Sequence, residues 1–288
     1  MGTVIVTGTS TGLGFATVVS MARAGHDVYA TMRNLDKAGD IRAIAEKEDL
    51  PIQILQLDVD DDDSVTNAIN QVLQEKGKVD VLVNNAGLGT MGSVEELPLS
   101  EFRQCLETNF FGPIRCIKAV VPSMREARSG LIVNVSSVAG KICVTPQAPY
   151  SASKFALEAL SEALAGELKP FNVRVVIVEP GIIQTPIFGK IREASEESIY
   201  PGERRINALF ATALENPLSS FVVGDAIRDI AATDSWQLRY PIGPDAEGFL
   251  GWRASLSDEE WVDYGAQTNE EWIAYVKDTF EMDVTPHF

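Results

Sequence analysis

Histidine is almost missing from this chain: His26 and His287 are the only two among 288 residues. Neither stands in a recognisable arrangement with a nucleophile, which argues against a hydrolase triad built on an imidazole base. Cysteine is scarce as well. Cys105, Cys116 and Cys143 form no CxxC or other ligand spacing, so a disulfide framework and a thiolate zinc site are excluded and three reduced core or loop thiols are expected. No metal site is predicted. No apolar run approaches the roughly 18 residues of a membrane span. The first residues lead straight into a strand rather than a cleavable signal, so the expected location is the cytoplasm. Positive charge is in deficit, with 24 Lys and Arg against 41 Asp and Glu and a net charge of −17. That balance opposes binding to nucleic acid. A phosphate loop with its lysine is also lacking, which argues against phosphoryl transfer.

What is present is a regular alternation. A hydrophobic content of 45% supplies a sizeable core, and the length suits one large domain. Strand-like runs occur at 3–7, 27–31, 52–57, 80–84, 131–135, 173–178 and about 237–242, with helical stretches between them. Such alternation predicts βαβ units and a doubly wound α/β fold: a mostly parallel, seven-stranded sheet with helices on both faces. The nearly continuous apolar runs at 80–84 and 173–178 fit its buried centre. Two long helical patterns, about 100–128 and 150–169, bracket the run at 131–135. The expected catalytic domain spans 1–244. Within it, 182–220 carries Pro186, Pro201, Gly202 and Pro217 around an amphipathic middle and reads as a mobile substrate lid. Residues 245–288 read as an acidic helical extension, with 11 acidic and 2 basic residues. Ser257–Trp261 and Thr268–Trp272 repeat a capping box, which predicts two short helices. Their Trp261, Tyr264, Trp272, Tyr275, Val276 and Phe280 read as a packing face, on this subunit or a neighbour.

Chemistry is concentrated in a few stretches. Thr7 to Gly14 fits T-G-x-x-x-G-x-G between a strand and a helix. Gly8, Gly12 and Gly14 permit the turn. The backbone at Ser10, Thr11 and Leu13 then approaches a pyrophosphate, and the helix N-terminus presents unpaired N–H groups. Gly87 to Gly92 also matches G-x-G-x-x-G, but it opens into no helix and is discounted. After the second strand, Arg33 stands where the adenine ribose is read, and an arginine there suits a 2′-phosphate. A surface pair with Asp36 is the competing explanation, and Met32 is where an acidic residue would reverse the preference. Asp58, followed by Val59, ends the third strand and is a candidate acceptor for the adenine amino group. Asp60 to Asp63 read as solvent-facing caps of the next helix. Asn85, Ala86 and Gly87 end the fourth strand, where small residues let the chain pass close to a cofactor. Asn109, in an apolar helix, needs partners if buried; it marks a water-held kink or part of a proton path. Tyr150 and Lys154 lie one helical turn apart. A phenol with an unperturbed pKa of ~10 needs a nearby cation to exchange protons at neutral pH, and Lys154 is placed to lower it.

Together TGTSTGLG, NNAG, Asn109, Ser137, YSASK and PGIIQT resemble the short-chain dehydrogenase/reductase family over about residues 1–185. The wording VYATMRNLD, ILQLDVDDDDSV and YSASKFALEALSEALAGELKPF is nearest to the branch containing hydroxysteroid and retinol dehydrogenases. The resemblance implies a Rossmann fold and a catalytic set of Asn109, Ser137, Tyr150 and Lys154. It makes Tyr150 the general acid/base and Lys154 a ligand of the nicotinamide ribose. Ser137 would bond the substrate carbonyl, and Asn109 would sustain a water relay. Pro180, Gly181, Ile183 and Thr185 would meet the nicotinamide end. The expected cofactor is NADP(H), with NAD(H) as the alternative, and the expected assembly is a homodimer or homotetramer through the helices at 100–128 and 150–169.

Leu88, Val138, Cys143, Val144, Gln147, Pro149, Ile182, Ile187 and Phe188 are expected to border the substrate cavity. Their apolar character predicts a hydrophobic ketone, aldehyde or alcohol as substrate. Two other readings compete: a non-catalytic NADP-binding sensor or scaffold, and a dehydratase or epimerase that retains its cofactor.

Overall fold

β-Branched and aliphatic runs become seven strands: β1 (Thr3–Val6), β2 (Asp27–Met32), β3 (Ile52–Gln56), β4 (Val81–Asn84), β5 (Gly130–Val135), β6 (Val173–Pro180) and β7 (Arg239–Ile242). A computed structural model describes residues 2–190 and 197–288. The strands form one sheet in the order β3-β2-β1-β4-β5-β6-β7, and every pairing is parallel. The chain leaves β1 toward β2 and β3, then returns to add β4 on the other side of β1. A crevice opens outside the carboxyl ends of β1 and β4, where doubly wound sheets hold their ligands.

The helices are α1 (Gly12–Arg23), α2 (Gly39–Glu48), α3 (Asp62–Lys76), α4 (Leu99–Leu106), α5 (Gly112–Ala127), α6 (Ala148–Leu168), α7 (Gly202–Ala213), α8 (Phe221–Ala231), α9 (Ala246–Ser255), α10 (Asp258–Ala266) and α11 (Asn269–Phe280). Side chains alternate across a strand. Val4 and Val6 therefore join Val18 and Met21 of α1, Ile41 of α2 and Ile227 of α8 on one face. Ile5, between them, joins Ile69 of α3, Val120 of α5 and Leu164 of α6 on the other. Both faces are covered, which is why β1 and β4 are buried throughout.

The helical pattern at 100–128 is not one helix. A π-helical segment, Glu107–Phe111, separates α4 from α5 and widens the coil around Asn109. The predicted lid contains α7 and a 3-10 turn at Phe188–Lys190; its residues 191–196 lie outside the described residues. Both capping boxes form, Ser257 with Glu260 and Thr268 with Glu271. The tail packs on its own chain: Trp272, Val276 and Val284 enclose Ala208 of α7.

Candidate active site

Two loops at the switch point hold each other. Thr7 Oγ1 accepts from the backbone N–H groups of Asn85 and Ala86, at 3.0 Å each. Asn85 Nδ2 donates back to the carbonyl oxygens of Thr7 and Gly8, at 2.8 and 3.1 Å. Gly8 has φ +68°, and a Cβ there would stand 2.6 Å from Ala86 Cα. The position therefore takes glycine on both conformational and steric grounds. Thr11, the N-cap of α1, makes no side-chain capping bond, so the first-turn N–H groups stay open to an anion. These features fit a dinucleotide pyrophosphate.

One cavity of about 550 Å³ runs from this turn to the end of β6. Gly8, Ser10, Thr11, Gly12 and Leu13 line it at one end, with Arg33, Asp58 and Val59 beyond β2 and β3. Asn85, Ala86 and Gly87 line its wall, and Ser137, Tyr150, Lys154, Pro180, Gly181, Ile183 and Thr185 its far end. Two of the predicted catalytic and cofactor-binding residues do not face it. Gly14 lies behind the turn, where a Cβ would collide with the Gly8 carbonyl and Asn85. Asn109 is buried behind Leu88: its Oδ1 accepts from Leu88 N at 2.8 Å, while Nδ2 donates to Leu88 O and Ser153 Oγ, both at 2.9 Å. Its side-chain partners are protein groups, and the helix departs from α geometry at this residue.

Arg33 is exposed, and its Nε stands 4.0 Å from Asp58 Oδ2, so the neighbouring carboxylate is Asp58 rather than Asp36. Met32, by contrast, is only 3% exposed. Asp61 caps α3 as expected, by accepting from Ser64 N. Asp60 is not a solvent-facing cap: it accepts from Gln104 and from Thr108, and so braces the π-helical segment.

At the catalytic end, Ser137 accepts from Ala139 N at 3.1 Å and its hydroxyl lies by Tyr150. Ser136 points away, its buried Oγ unpartnered near Gly140 and Glu158. Lys154 Nζ donates to the Val135 carbonyl at 2.8 Å. Burial pushes the Lys154 ammonium down to about 8. Burial pushes the Tyr150 phenol up to about 12, with the Ser137 hydrogen bond drawing it partly back. Burial is thus the largest influence on both groups, and one N–H of the Lys154 ammonium is directed at Val135.

The cavity also differs from its predicted outline. Leu88, Val138, Val144, Gln147, Ile182, Ile187 and Phe188 line it, but Cys143 is exposed on the surface and Pro149 is buried away from it. Residues not predicted complete it: Ile206, Leu209 and Phe210 of α7, and Phe249, Trp252, Tyr264 and Phe280 of the tail. Tyr264 and Phe280, read as packing residues, thus face the cavity as well. Asp245 was also missed. Its Oδ2 accepts from Ile182 N at 2.7 Å and pins the loop after β6. The α7 residues fall within the predicted substrate lid, whereas the only sequence signal for the tail positions was an aromatic stretch of unknown placement.

Fold and site define an NAD(P)-binding oxidoreductase. A family model described as short chain dehydrogenase matches residues 2–196, and the chain belongs to that family. It is 40% identical over 236 residues to retinol dehydrogenase 8 of Bos taurus, covering 80% of this chain and 75% of that one. A solved short-chain dehydrogenase from Streptomyces avermitilis is 36% identical, with a TM-score of 0.79 over 92% of this chain and 98% of its own. An alcohol dehydrogenase from Thermococcus sibiricus, solved with 5-hydroxy-NADP, is 25% identical with a TM-score of 0.71, over 84% of this chain and 95% of its own. The chain is thus an oxidoreductase of CH–OH groups, with an NAD(P)-binding Rossmann fold.

Proposed function

We propose that the protein interconverts a hydrophobic ketone or aldehyde and its alcohol with NADP(H), using Tyr150 as general acid in reduction and general base in oxidation. The observation that carries this is the convergence of Ser137, Tyr150 and Lys154 on the far end of a cavity that begins at an uncapped helix N-terminus. The bound nicotinamide would supply or accept the hydride. Ser137 holds the substrate oxygen against the phenol, which gives or takes the proton. Lys154 holds the cofactor ribose and favours the phenolate by its charge. Beyond the bond to Val135 its ammonium has two further donors for the ribose hydroxyls. Asn109 supports this arrangement through Leu88 and Ser153, and the relay role that the family resemblance implies is part of the same reading.

Arg33 supports NADP(H), since its exposed guanidinium borders the cavity beside Asp58 and is free to take a 2′-phosphate. The Thermococcus protein, solved with an NADP derivative, is consistent with that choice. Association into a homodimer or homotetramer rests on the faces of α4–α5 and α6, where Phe111 and Phe155 are exposed at 45% and 44%. Sedimentation tests it. A cytoplasmic location belongs to the same reading and is tested by cell fractionation. Loss of NADPH absorbance with a panel of apolar ketones and aldehydes tests the reaction. A sensor gives no turnover, and an epimerase or dehydratase gives product without net NADPH consumption.

A further inference from the structure

The tail closes the cavity with rings. Trp252 is the hub, its ring centre 5.0 Å from that of Phe280, 5.1 Å from Tyr264 and 5.1 Å from Trp261. Phe249 stands 5.2 Å from Phe280. Four of these five rings, those of Phe249, Trp252, Tyr264 and Phe280, line the cavity. Two indole N–H groups of the tail end on tyrosine oxygens: Trp252 Nε1 donates to Tyr275 Oη at 2.8 Å, and Trp272 Nε1 to Tyr264 Oη at 2.9 Å. Val144, Ile187, Ile206, Leu209 and Phe210 also line the cavity. Gln147, 8% exposed, is a polar side chain of the same lining.

The roof is held on the rest of the chain. Arg205 of α7 donates to Asn269 Oδ1 at 2.9 Å and to the Gln267 carbonyl at 2.6 Å, between α10 and α11. Asp245, just ahead of α9, bonds Ile182 at the catalytic end. The tail is thereby tied to both the lid helix and the loop after β6. The family match ends at residue 196, so none of the roof rings belongs to the part that the family model describes.

We infer that α9–α11 form the specificity element of this enzyme, and that it selects carbonyl compounds with an extended, uncharged hydrocarbon body ending without a polar group. The inference rests on the carbonyl chemistry proposed above for the catalytic end. A hydroxyl or carboxylate at the far end of the substrate loses its water and finds ring carbons in exchange. Each added methylene gains burial instead, worth roughly fourfold in affinity until the space is filled.

The test reads binding without turnover. Protein without nucleotide, in which the alcohols cannot be oxidised, is titrated with the uncharged fluorophore N-phenyl-1-naphthylamine, and the bound probe is displaced with 1-octanol, 1-decanol and 1,10-decanediol. The expected result is tight probe binding, displacement that strengthens from octanol to decanol, and at least roughly tenfold weaker displacement by the diol, whose second hydroxyl is left without a partner. Trp252→Ala is expected to weaken probe binding about tenfold or more while NADP⁺ affinity is retained; Val262→Ala, on the exposed side of α10, leaves both unchanged. Equal displacement by decanol and diol overturns the inference, as does undiminished probe binding in folded Trp252→Ala. If Trp252→Ala does not fold, the alcohol series on the unaltered protein decides alone. Should that series behave as expected while no carbonyl compound consumes NADPH, the reaction reading fails and the roof assignment stands.

Discussion

The Lys154 ammonium stands 5.7 Å from the centre of the Tyr150 ring, with its Nζ bonded to the carbonyl oxygen of Val135 instead of to the phenol. The two side chains lie one turn apart on α6, so they share a face, but one lysine N–H is directed at the end of β5. At the distances involved, the influence of Lys154 on Tyr150 is that of a charge rather than of a hydrogen bond.

A pH dependence follows. Lys154 loses its charge near 8, and kcat/KM reports groups of the free enzyme. kcat/KM for carbonyl reduction is expected to fall as pH rises through about 8. Lys154→Met should lower the plateau by about 10²- to 10⁴-fold and remove that inflection. A pH–rate profile of both proteins checks this; an inflection at the same pH in Lys154→Met contradicts it.

Arg33→Ala removes a cation at the mouth of the cavity. Hydrogen bonds to charged groups are worth ~1.5–3 kcal/mol, so kcat/KM with NADPH should fall roughly 10- to 100-fold while that with NADH barely changes. The 4.0 Å contact with Asp58 is exposed and contributes little stability, so folding is expected to be unaffected. Met32→Asp is the less direct probe, since Met32 is buried and a carboxylate there costs folding stability. Equal losses with both cofactors would contradict the 2′-phosphate reading.

A second titration lies behind the site. Glu179 on β6 is 1% exposed and close to Glu158, with Arg239 Nε 3.4 Å from its Oε1. Burial and the Glu158 charge push its carboxyl up to about 7, against the opposing pull of Arg239. A carboxyl raised in the folded state stabilises the fold fully below its unfolded pKa, near 4.3, and that contribution is lost as pH rises through about 7. The stability of Glu179→Gln, which stays neutral, should therefore gain on that of the wild type between pH 5 and 8. Thermal melts across that range check it, and a pH-independent difference contradicts it.

Asn109→Ala leaves the N–H and C=O of Leu88 and the Ser153 hydroxyl without their amide partner. Unpaired buried groups cost ~1–3 kcal/mol each, partly relieved by relaxation, so a loss of about 2–4 kcal/mol is expected in denaturant unfolding. Activity should fall too, because Leu88 and Gly87 form the cavity wall. Unchanged stability would show that these bonds are dispensable.

Much of this arrangement is legible in the sequence. The strand runs gave the sheet because a doubly covered parallel sheet leaves an unmistakable apolar pattern, and TGTSTGLG and NNAG were visible as separate motifs. Their mutual bonding through Thr7 and Asn85 was not, since it joins residues 78 positions apart. Side-chain direction was equally hidden. Helical spacing placed Lys154 beside Tyr150 but said nothing of Val135, and placing Cys143 in the cavity required the shape of a loop. The roof was the largest omission: Trp252 and Phe249 carry no periodic signal that distinguishes packing on a core from facing a cavity. Tertiary placement alone made that distinction.

The account turns on a proton held by one phenol. The most direct measurement is NADPH consumption by Tyr150→Phe with a carbonyl substrate turned over by the wild type, alongside NADPH affinity by fluorescence. The predicted result is a loss of about 10²- to 10⁴-fold in kcat with cofactor affinity retained. Wild-type turnover in Tyr150→Phe would contradict the account.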